Sequence, residues 1–314
     1  MQGLELARAF YTEYGAPMLR AQFPRLLDKL AVGLCGSGSE CFGFDDEVSR
    51  DHDFEPGFCV FLPGEDVIDR REAFQLERAY AKLPREYGGL RRALVQPVGG
   101  SRHGVLRTAE FFTEKAGTPD GVLTLEQWFR TPEYALAEAV NGEIFDDPYG
   151  EVTAIRARLS AMPRDVRLKK LAGNLLLMAQ SGQYNFARCL AHGEKAAAQL
   201  AVCAFVQHCM AAVFLLNERY MPFYKWSFRA MRALPRLAAL ADTMECLLTN
   251  DNDAPMDAVK QELIEDAASA VIGELQRQTL TEAICADLEK HAYSVNDRID
   301  SADVRNLHIL YAVG

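Results

Sequence analysis

The sequence of 314 residues lacks a C-x-x-C pair, a continuous bilayer-length apolar run and a G-x-x-x-x-G-K-[ST] loop. The first absence, with eight cysteines mostly in apolar surroundings, argues against structural zinc and a disulfide framework. The longest near-apolar run, Ala201 to Leu216, is interrupted by Gln207 and His208 and predicts a buried helix rather than a membrane span. The missing loop disfavours a kinase or another P-loop phosphoryl transferase.

Positive charge is also scarce. Lys and Arg total 34 against 44 Asp and Glu, which gives a net charge of −10 and argues against an extended nucleic-acid surface. Glu5 and Glu13 interrupt the first 15 residues, which do not resemble a secretion signal. We therefore expect a cytoplasmic protein without a membrane partner.

The length predicts two domains, and the hydrophobic pattern of the sequence changes near residue 150. In the first part, LAVGLCG, FCVFLP, LVQPVGG and HGVLRT are strand-length runs, and residues 65–87 are rich in helix formers. The later part reads as long amphipathic helices at 151–160, 164–181, 184–219, 222–248, 255–290 and 296–312. The prediction is an α/β plus all-α protein: a mixed sheet with helices over 1–150 and a helical bundle over 151–314.

A glycine–serine turn and two aspartates carry the clearest chemical signal. The strand LAVGLC ends in Gly36-Ser37-Gly38-Ser39, where small residues let backbone N–H groups approach a phosphate. Asp51 and Asp53 follow, and on a strand their spacing directs both carboxylates to one face. Such a pair suits two Mg²⁺ ions that orient a nucleoside triphosphate for in-line displacement. A loop followed by solvated acids is the simpler interpretation of either element alone.

This order of elements resembles the nucleotidyltransferase superfamily. The segments GSGSE and GFDDEVSRDHD, with the later NGEIFDDPYGE, GQYNFAR and LNERYMPFYKW, are similar to the bacterial domain of unknown function 4037 family. The resemblance implies a helical C-terminal part like that of antibiotic nucleotidyltransferases. It also implies transfer of a nucleoside monophosphate from an NTP to an unidentified small-molecule or macromolecular acceptor. Ser37, Gly38 and Ser39 would contact the phosphates, and Asp51 and Asp53 would bind Mg²⁺.

Two features of the aspartate region leave alternatives open. Phe54-Glu55-Pro56-Gly57 separates Asp53 from FCVFL, and because proline cannot donate to a strand ladder we expect an edge strand or a bulge. Superfamily members often use a third carboxylate as metal ligand or general base. Glu110 is our candidate, with a helix-start role as its alternative. Asp146 and Asp147 are the others, with turn formation before Pro148 as theirs.

A cationic stripe stands out in a chain whose net charge is −10. Lys225, Arg229, Arg232 and Arg236 recur at intervals that place them on one face of a single helix. Together with the preceding aromatic residues, they suit stacking on a base and pairing with phosphates. We expect this helix to close the nucleotide cleft, with Lys225 and Arg229 binding the nucleotide. The alternative is a solvated helix face.

The segment GQYNFAR predicts a helix start after Gly182, where Tyr184, Asn185 and Arg188 could face the same cleft or serve as cap and ion-pair residues. An acidic cleft in this half would favour a cationic acceptor, and a basic one a phosphate-bearing acceptor; the stripe favours the second. The main functional hypothesis is a Mg²⁺-dependent nucleotidyltransferase. The alternative is a non-catalytic nucleotide-binding or interaction protein that keeps the turn but lacks a third acid.

Overall fold

The computed structural model describes residues 2–48, 55–92 and 103–313. The chain forms two compact units. Residues 1–124 and 131–161 form the first, here called the sheet unit; residues 125–130 and 162–314 form the second, the helical unit. The predicted boundary at 150 precedes a helix, Glu151–Ser160, that belongs to the sheet unit.

Helices and short strands alternate in the first half, and helices alone follow. The elements are, in chain order, α1 (Gly3–Phe10), a π-helical turn (Tyr11–Gly15), α2 (Ala16–Gln22), β1 (Ala31–Leu34), a 3₁₀ turn (Glu40–Phe42), β2 (Cys59–Leu62), α3 (Arg70–Ala81), β3 (Glu86–Tyr87), β4 (Leu90–Arg91), β5 (Gly104–Arg107), α4 (Thr108–Ala116), α5 (Leu125–Arg130), α6 (Glu133–Val140), β6 (Glu143–Asp146), α7 (Glu151–Ser160), α8 (Arg164–Met178), a π-helical turn (Ala179–Phe186), α9 (Ala187–Ala191), α10 (Lys195–Leu216), α11 (Tyr224–Arg232), α12 (Leu240–Thr249), α13 (Met256–Arg277), α14 (Leu288–Asp297) and α15 (Ala302–Asn306). The predicted α/β plus all-α layout is confirmed.

In the described part of the sheet unit, four strands form a mixed sheet in the order β5-β2-β1-β6. β1 pairs antiparallel with β2 and with β6, whereas β2 and β5 run parallel. Every residue of β1 and β2 is buried, as expected for central strands covered on both faces. β3 and β4 form a separate two-stranded hairpin.

Alternation along the central strands directs side chains into two apolar layers. Val32 and Val60 join a cluster with the first helices and α3, in which Phe10 and Leu76 are fully buried. On the other side of β2, Phe61 packs edge-on against Phe111 of α4, with ring centroids 5.2 Å apart. Each fully buried ring or branched chain contributes about 1.5–3 kcal/mol, so these layers hold the sheet that carries the Gly–Ser turn.

The strands predicted from LAVGLCG, FCVFLP and HGVLRT correspond to β1, β2 and β5, and the helix predicted within 65–87 corresponds to α3. The run LVQPVGG lies outside the described residues. The expectation about Pro56 is wrong: Pro56 precedes β2, which begins at Cys59 and lies between two other strands. The irregularity falls instead in the pairing of β1 with β6, between Val32 and Gly33.

Helices in the second half are shorter than their hydrophobic patterns predict, except α7, which has the predicted bounds. The predicted start after Gly182 is wrong, because helix continues from α8 through the second π-helical turn into α9. A Cβ on Gly182 would lie under 3.0 Å from the ring of Phe205, so glycine there permits close packing on α10. Local propensity identified Gly182 as a breaker, and tertiary packing explains why it is not one.

The helix predicted at 201–216 is α10, and it begins six residues earlier, at Lys195. Phe205, Val213 and Leu216 are among its fully buried residues. By length and composition α10 is also apolar enough to span a membrane, and 61% of its most apolar window is buried within the described fold.

Candidate functional site

The Gly–Ser turn leaves the end of β1 in a conformation that requires glycine. Gly36 has φ +114° and Gly38 has φ +128°, values that residues with a Cβ rarely adopt. Ser39 is buried, and its carbonyl accepts hydrogen bonds from the N–H groups of Phe42 and Phe44, at 3.1 and 2.9 Å. Only the three-residue 3₁₀ turn follows, so phosphate binding here would depend on the turn itself and on nearby cations rather than on a long helix dipole.

The side chain of Asn141 holds the first residue of the turn on both sides. Its Oδ1 accepts from the Gly36 N–H at 2.8 Å, and its Nδ2 donates to the Gly36 carbonyl at 2.8 Å. Gly36 is buried, so both backbone groups depend on this amide for their partners. Asn141 follows α6 and precedes β6, which brings it beside the turn across 105 positions of sequence.

Arg156 and Gly142 support this arrangement from behind. The Arg156 guanidinium, on α7, donates to the carbonyls of Val140 and Asn141 at 2.8 and 2.7 Å. Gly142 has φ +64°, and a Cβ there would lie under 3.0 Å from the carbonyl oxygen of Leu34. The backbone after α6 therefore approaches the end of β1 closely, and the turn is positioned by groups fixed in place themselves.

A lysine and a glutamate converge on the hydroxyl of Ser37. The Lys115 ammonium, on α4, donates to Ser37 Oγ at 2.7 Å and to Glu138 Oε2 at 3.0 Å. Ser37 Oγ itself donates to Glu138 Oε2 at 2.7 Å. The side chains of Lys115 and Glu138 are only 16% and 19% exposed, so this cation is held at the turn rather than in free solvent.

The pKa of the Cys35 thiol depends on burial and on the charges around the turn. Burial raises its pKa to about 11, and the positive charges of Arg156 and Lys115 oppose that rise. Such a thiol stays protonated at neutral pH and is a poor nucleophile. Cys35 therefore has a packing role. The polar groups at the turn are its backbone, Ser37, the Lys115 ammonium and two carboxylates, those of Glu138 and of Glu40, which lies against Gly38.

Asp51 and Asp53, the predicted metal ligands, lie outside the described residues. Just before β2, the Phe58 N–H donates to Tyr80 Oη at 3.1 Å, and the Phe58 carbonyl accepts from that hydroxyl at 2.8 Å. Burial raises the pKa of Tyr80, which keeps this hydroxyl a donor. Within residues 2–48, 55–92 and 103–313, no group of three or more His, Cys, Asp or Glu could hold a metal ion.

The candidates for a third carboxylate occupy different surroundings. Glu110 lies exposed in the first turn of α4, the helix-start position named as its alternative. Asp146 ends β6 opposite Val32 and is exposed. Asp147 lies in the turn before α7, where its Oδ1 accepts from the Gly150 N–H at 2.9 Å and its Oδ2 accepts from the Thr153 N–H at 2.7 Å. Asp147 therefore fits the turn role.

A fourth carboxyl, close in sequence to Asp146 and Asp147, was not singled out from the sequence. Glu151 begins α7, and burial raises its pKa while a hydrogen bond with Thr108 opposes the rise. Negative charge at Asp147 and Asp66 raises the pKa further. A carboxyl with a raised pKa is a candidate proton acceptor or donor, and no sequence pattern predicts the burial that causes it.

The cationic stripe is not one helix face. α11 ends at Arg232, so Arg236 lies beyond it and the expected four-residue stripe is wrong. Arg232 pairs with Asp242 and Glu245, and the Arg236 Nε lies 3.4 Å from Glu274 Oε1. Lys225 and Arg229 are exposed on α11, and the Lys225 ammonium lies 5.1 Å from the Trp226 ring centroid. The predicted nucleotide contacts of Lys225 and Arg229 stay predictions.

Lys115, Glu138 and Asn141 were missed in the sequence. The only signal was Asn141-Gly142, which reads as a turn rather than as the start of a strand. β6 has four residues, none of them fully buried, so its hydrophobic pattern is weak. Its pairing with β1 is what brings Asn141 beside Gly36.

Comparison with known families gives one match. Residues 128–227 match the model of a family described as a domain of unknown function (DUF4037). The match includes NGEIFDDPYGE, GQYNFAR and LNERYMPFYKW, and it confirms the family named from these motifs over that stretch. It also includes Glu138, Asn141 and Arg156, which hold the Gly–Ser turn from outside the turn's own sequence. Neither the curated proteins nor the solved structures give a match.

Proposed function

For a chain that carries a DUF4037 domain over residues 128–227, we propose a Mg²⁺-dependent nucleotidyltransferase that uses an NTP as its nucleotide donor. The observation that carries the proposal is the Gly36–Ser39 turn at the end of β1, held by Asn141 and flanked by the Lys115 ammonium. Gly36 and Gly38, both with positive φ, let backbone N–H groups approach a phosphate, and a fixed cation can pair with its charge.

In this proposal the turn and Lys115 bind the triphosphate. The Lys115 ammonium already lies 2.7 Å from Ser37 Oγ, so a phosphate oxygen at the turn would compete with Glu138 for the same cation. Asn141 keeps the Gly36 peptide oriented while the ligand changes. Preorganised donors of this kind lower the cost of binding a charged group, because little reorganisation follows.

The proposed reaction forms a bond from an acceptor oxygen to the α-phosphorus and breaks the bond between the α- and β-phosphates. Pyrophosphate leaves, and the acceptor proton passes to a carboxylate, for which Glu110, Asp146 and Glu151 are candidates. Carboxylate oxygens suit Mg²⁺, and Asp51 and Asp53 would hold it. When bound, the metal stabilises the charge that develops on the phosphate oxygens.

Nucleotide binding without turnover is the second candidate function. It is favoured by Asp147, one of the expected third acids, whose two oxygens are both engaged by the N-terminal backbone of α7. A protein of this kind would bind an NTP at the turn without releasing pyrophosphate.

The fate of an isotope label in the NTP distinguishes nucleotide transfer from nucleotide binding without turnover. The protein is incubated with Mg²⁺, a small-molecule extract as acceptor source, and each NTP labelled in turn at the α- and the γ-phosphate. Transfer puts the α-label in a new product and the γ-label in pyrophosphate, and Asp51→Asn/Asp53→Asn abolishes both. Asp28→Asn, an exposed residue that precedes the opposite end of β1, is the matched control and retains activity. Binding of the NTP without either labelled product would refute transfer to an acceptor in that extract and favour the second function.

A matched pair of lysine variants tests the role of Lys115. Lys115→Gln should raise the NTP dissociation constant by about 10-fold to 150-fold, because a charge-assisted hydrogen bond contributes about 1.5–3 kcal/mol. Lys82→Gln, at the exposed end of α3, should leave it unchanged. Equal affinities in both variants would remove Lys115 from the phosphate site.

A further inference from the structure

The helical unit contains a cleft of its own, of about 750 Å³. This volume lies within the range of small-molecule sites, roughly 300–1,000 Å³. Its walls come from the end of α8 and the π-helical turn, from the start of α14, and from the segment after α15. The residues that line it are Leu176, Ala179, Gln180, Gln183, Tyr184, Ala286, Asp287, Glu289, Tyr293, His308, Ile309 and Leu310.

The charged side chains that line the cleft are acidic. Asp287 and Glu289 stand at the start of α14, and the described lining includes neither Lys nor Arg. Arg188 lies beside this lining, with its guanidinium 5.1 Å from the centroid of the Tyr184 ring. Glu265 lies behind the wall, where it accepts from Gln183 at 2.8 Å. The balance of these charges is negative.

Two exposed aromatic rings line the same cleft, and the Arg188 guanidinium already lies over the ring of Tyr184. Tyr184 is 58% exposed and Tyr293 is 49% exposed, although each also lines the cleft. The face of a tyrosine ring attracts a cation, and the ring also supplies apolar area for a flat ligand. Leu176, Ile309 and Leu310 add further apolar surface.

Hydrogen bonds fix the polar wall in place. Gln183 Nε2 donates to the Ala286 carbonyl at 3.0 Å, and Gln183 Oε1 accepts from the Leu288 N–H at 3.0 Å. Asp287 Oδ1 accepts from the Glu289 N–H at 2.9 Å and caps α14. One wall is a π-helical turn, a deviation from the α-helix that is frequent at functional sites. The cleft is therefore formed before any ligand arrives.

We propose that this cleft binds a small organic cation that carries a flat aromatic or apolar body. Carboxylates at the start of α14 would attract the ammonium group, while the tyrosine rings and the aliphatic residues would contact the body of the ligand. An anion of the same shape would be repelled by Asp287 and Glu289. The inference does not depend on nucleotide transfer, because it concerns side chains of the helical unit alone.

Three molecules of nearly the same shape test the charge preference. Tryptamine is a cation at neutral pH, tryptophol is neutral, and indole-3-acetate is an anion. Binding to the full-length protein is measured by calorimetry, without nucleotide or Mg²⁺. Tryptamine should bind more tightly than tryptophol, and indole-3-acetate most weakly. Equal affinity of all three, or no tryptamine binding at millimolar concentration, would overturn the proposal.

Variants locate the binding to the cleft. Glu289→Gln should weaken tryptamine binding by about twofold to fivefold, the size expected for a partly exposed ion pair. Adding Asp287→Asn should weaken tryptamine binding further, and Tyr293→Ala should weaken the binding of all three ligands.

Asp297→Asn is the matched control, since it removes the same charge from the exposed far end of α14. If Asp297→Asn weakens tryptamine as much as Glu289→Gln does, the cation is responding to net charge and the cleft assignment is wrong. Melting temperatures without ligand show whether each variant is folded.

Discussion

Replacing Asn141 with alanine removes the partners of two buried backbone groups at once. The Gly36 N–H loses its acceptor and the Gly36 carbonyl loses its donor, each 2.8 Å away. An unsatisfied buried polar group costs about 1–3 kcal/mol. Asn141 is only half-buried, so water will partly replace it, and the lower half of that range applies to each group. We therefore expect the free energy of unfolding of the sheet unit to fall by about 2–4 kcal/mol.

Calorimetry and hydrogen exchange together measure this effect. For a unit of roughly 150 residues, each kcal/mol shifts Tm by about 2–4 °C, so a loss of about 2–4 kcal/mol in Asn141→Ala should lower Tm by about 4–16 °C. Exchange of the Gly36 amide should also become faster. Both tryptophans, Trp128 and Trp226, lie in the helical unit, so their fluorescence does not substitute for these measurements.

The matched control is Gln75→Ala, which truncates another amide on the exposed face of α3. Its effect should stay within about 0.5 kcal/mol. The reasoning fails if Asn141→Ala is as mild as this control, or if Gly36 exchanges at the wild-type rate.

Three further outcomes follow from packing and burial. Gly142→Ala should lower the free energy of unfolding of the sheet unit by more than about 3 kcal/mol, because the added Cβ would overlap backbone atoms. Gly150, with φ +77°, has open space around its Cβ position, so Gly150→Ala should lower the same free energy, measured by calorimetry, by only about 1–2 kcal/mol. Gly182→Ala should lower the Tm of the helical unit, because the added Cβ would overlap α10. Gly273 lies inside α13 with nothing within 4 Å of its Cβ position, so Gly273→Ala should raise the Tm through helix propensity. A higher Tm for Gly182→Ala than for Gly273→Ala would contradict the packing argument. Labelling of the native protein with a thiol reagent at pH 8 should modify the two exposed cysteines, Cys203 and Cys285, first. Burial raises the pKa of Cys209 to about 12, so mass mapping that finds this thiol among the fast-reacting ones would contradict its burial.

Elements with a strong local pattern were predictable from the sequence. β1, β2 and β5 carry apolar residues in strand-length runs, and α3 begins with the capping residue Asp69, whose side chain accepts from the Glu72 N–H. α7 begins after Gly150 and ends at Ser160, as its pattern predicts. In these cases the local preference and the tertiary structure agree.

The missed features depend on contacts far apart in sequence. β6 is a strand because it pairs with β1, and Asn141 reaches Gly36 only through that pairing. Arg236 lies past the end of α11 and pairs with Glu274 on α13, a contact that helical spacing does not reveal. The turn itself was recognisable from its glycines, whereas Lys115 was one cation among 34 Lys and Arg residues.

In the proposed function, the Gly36–Ser39 turn and the aspartate pair bind an NTP together with Mg²⁺. Thermal unfolding with each of the four NTPs, with and without Mg²⁺, tests it most directly. At 100 times the dissociation constant a bound NTP adds about 2.7 kcal/mol of stability, a shift of several degrees. We expect a Mg²⁺-dependent shift for wild type and Asp28→Asn that is lost in Asp51→Asn/Asp53→Asn. Absence of a shift with every NTP, or a shift that survives loss of both aspartates, would contradict it.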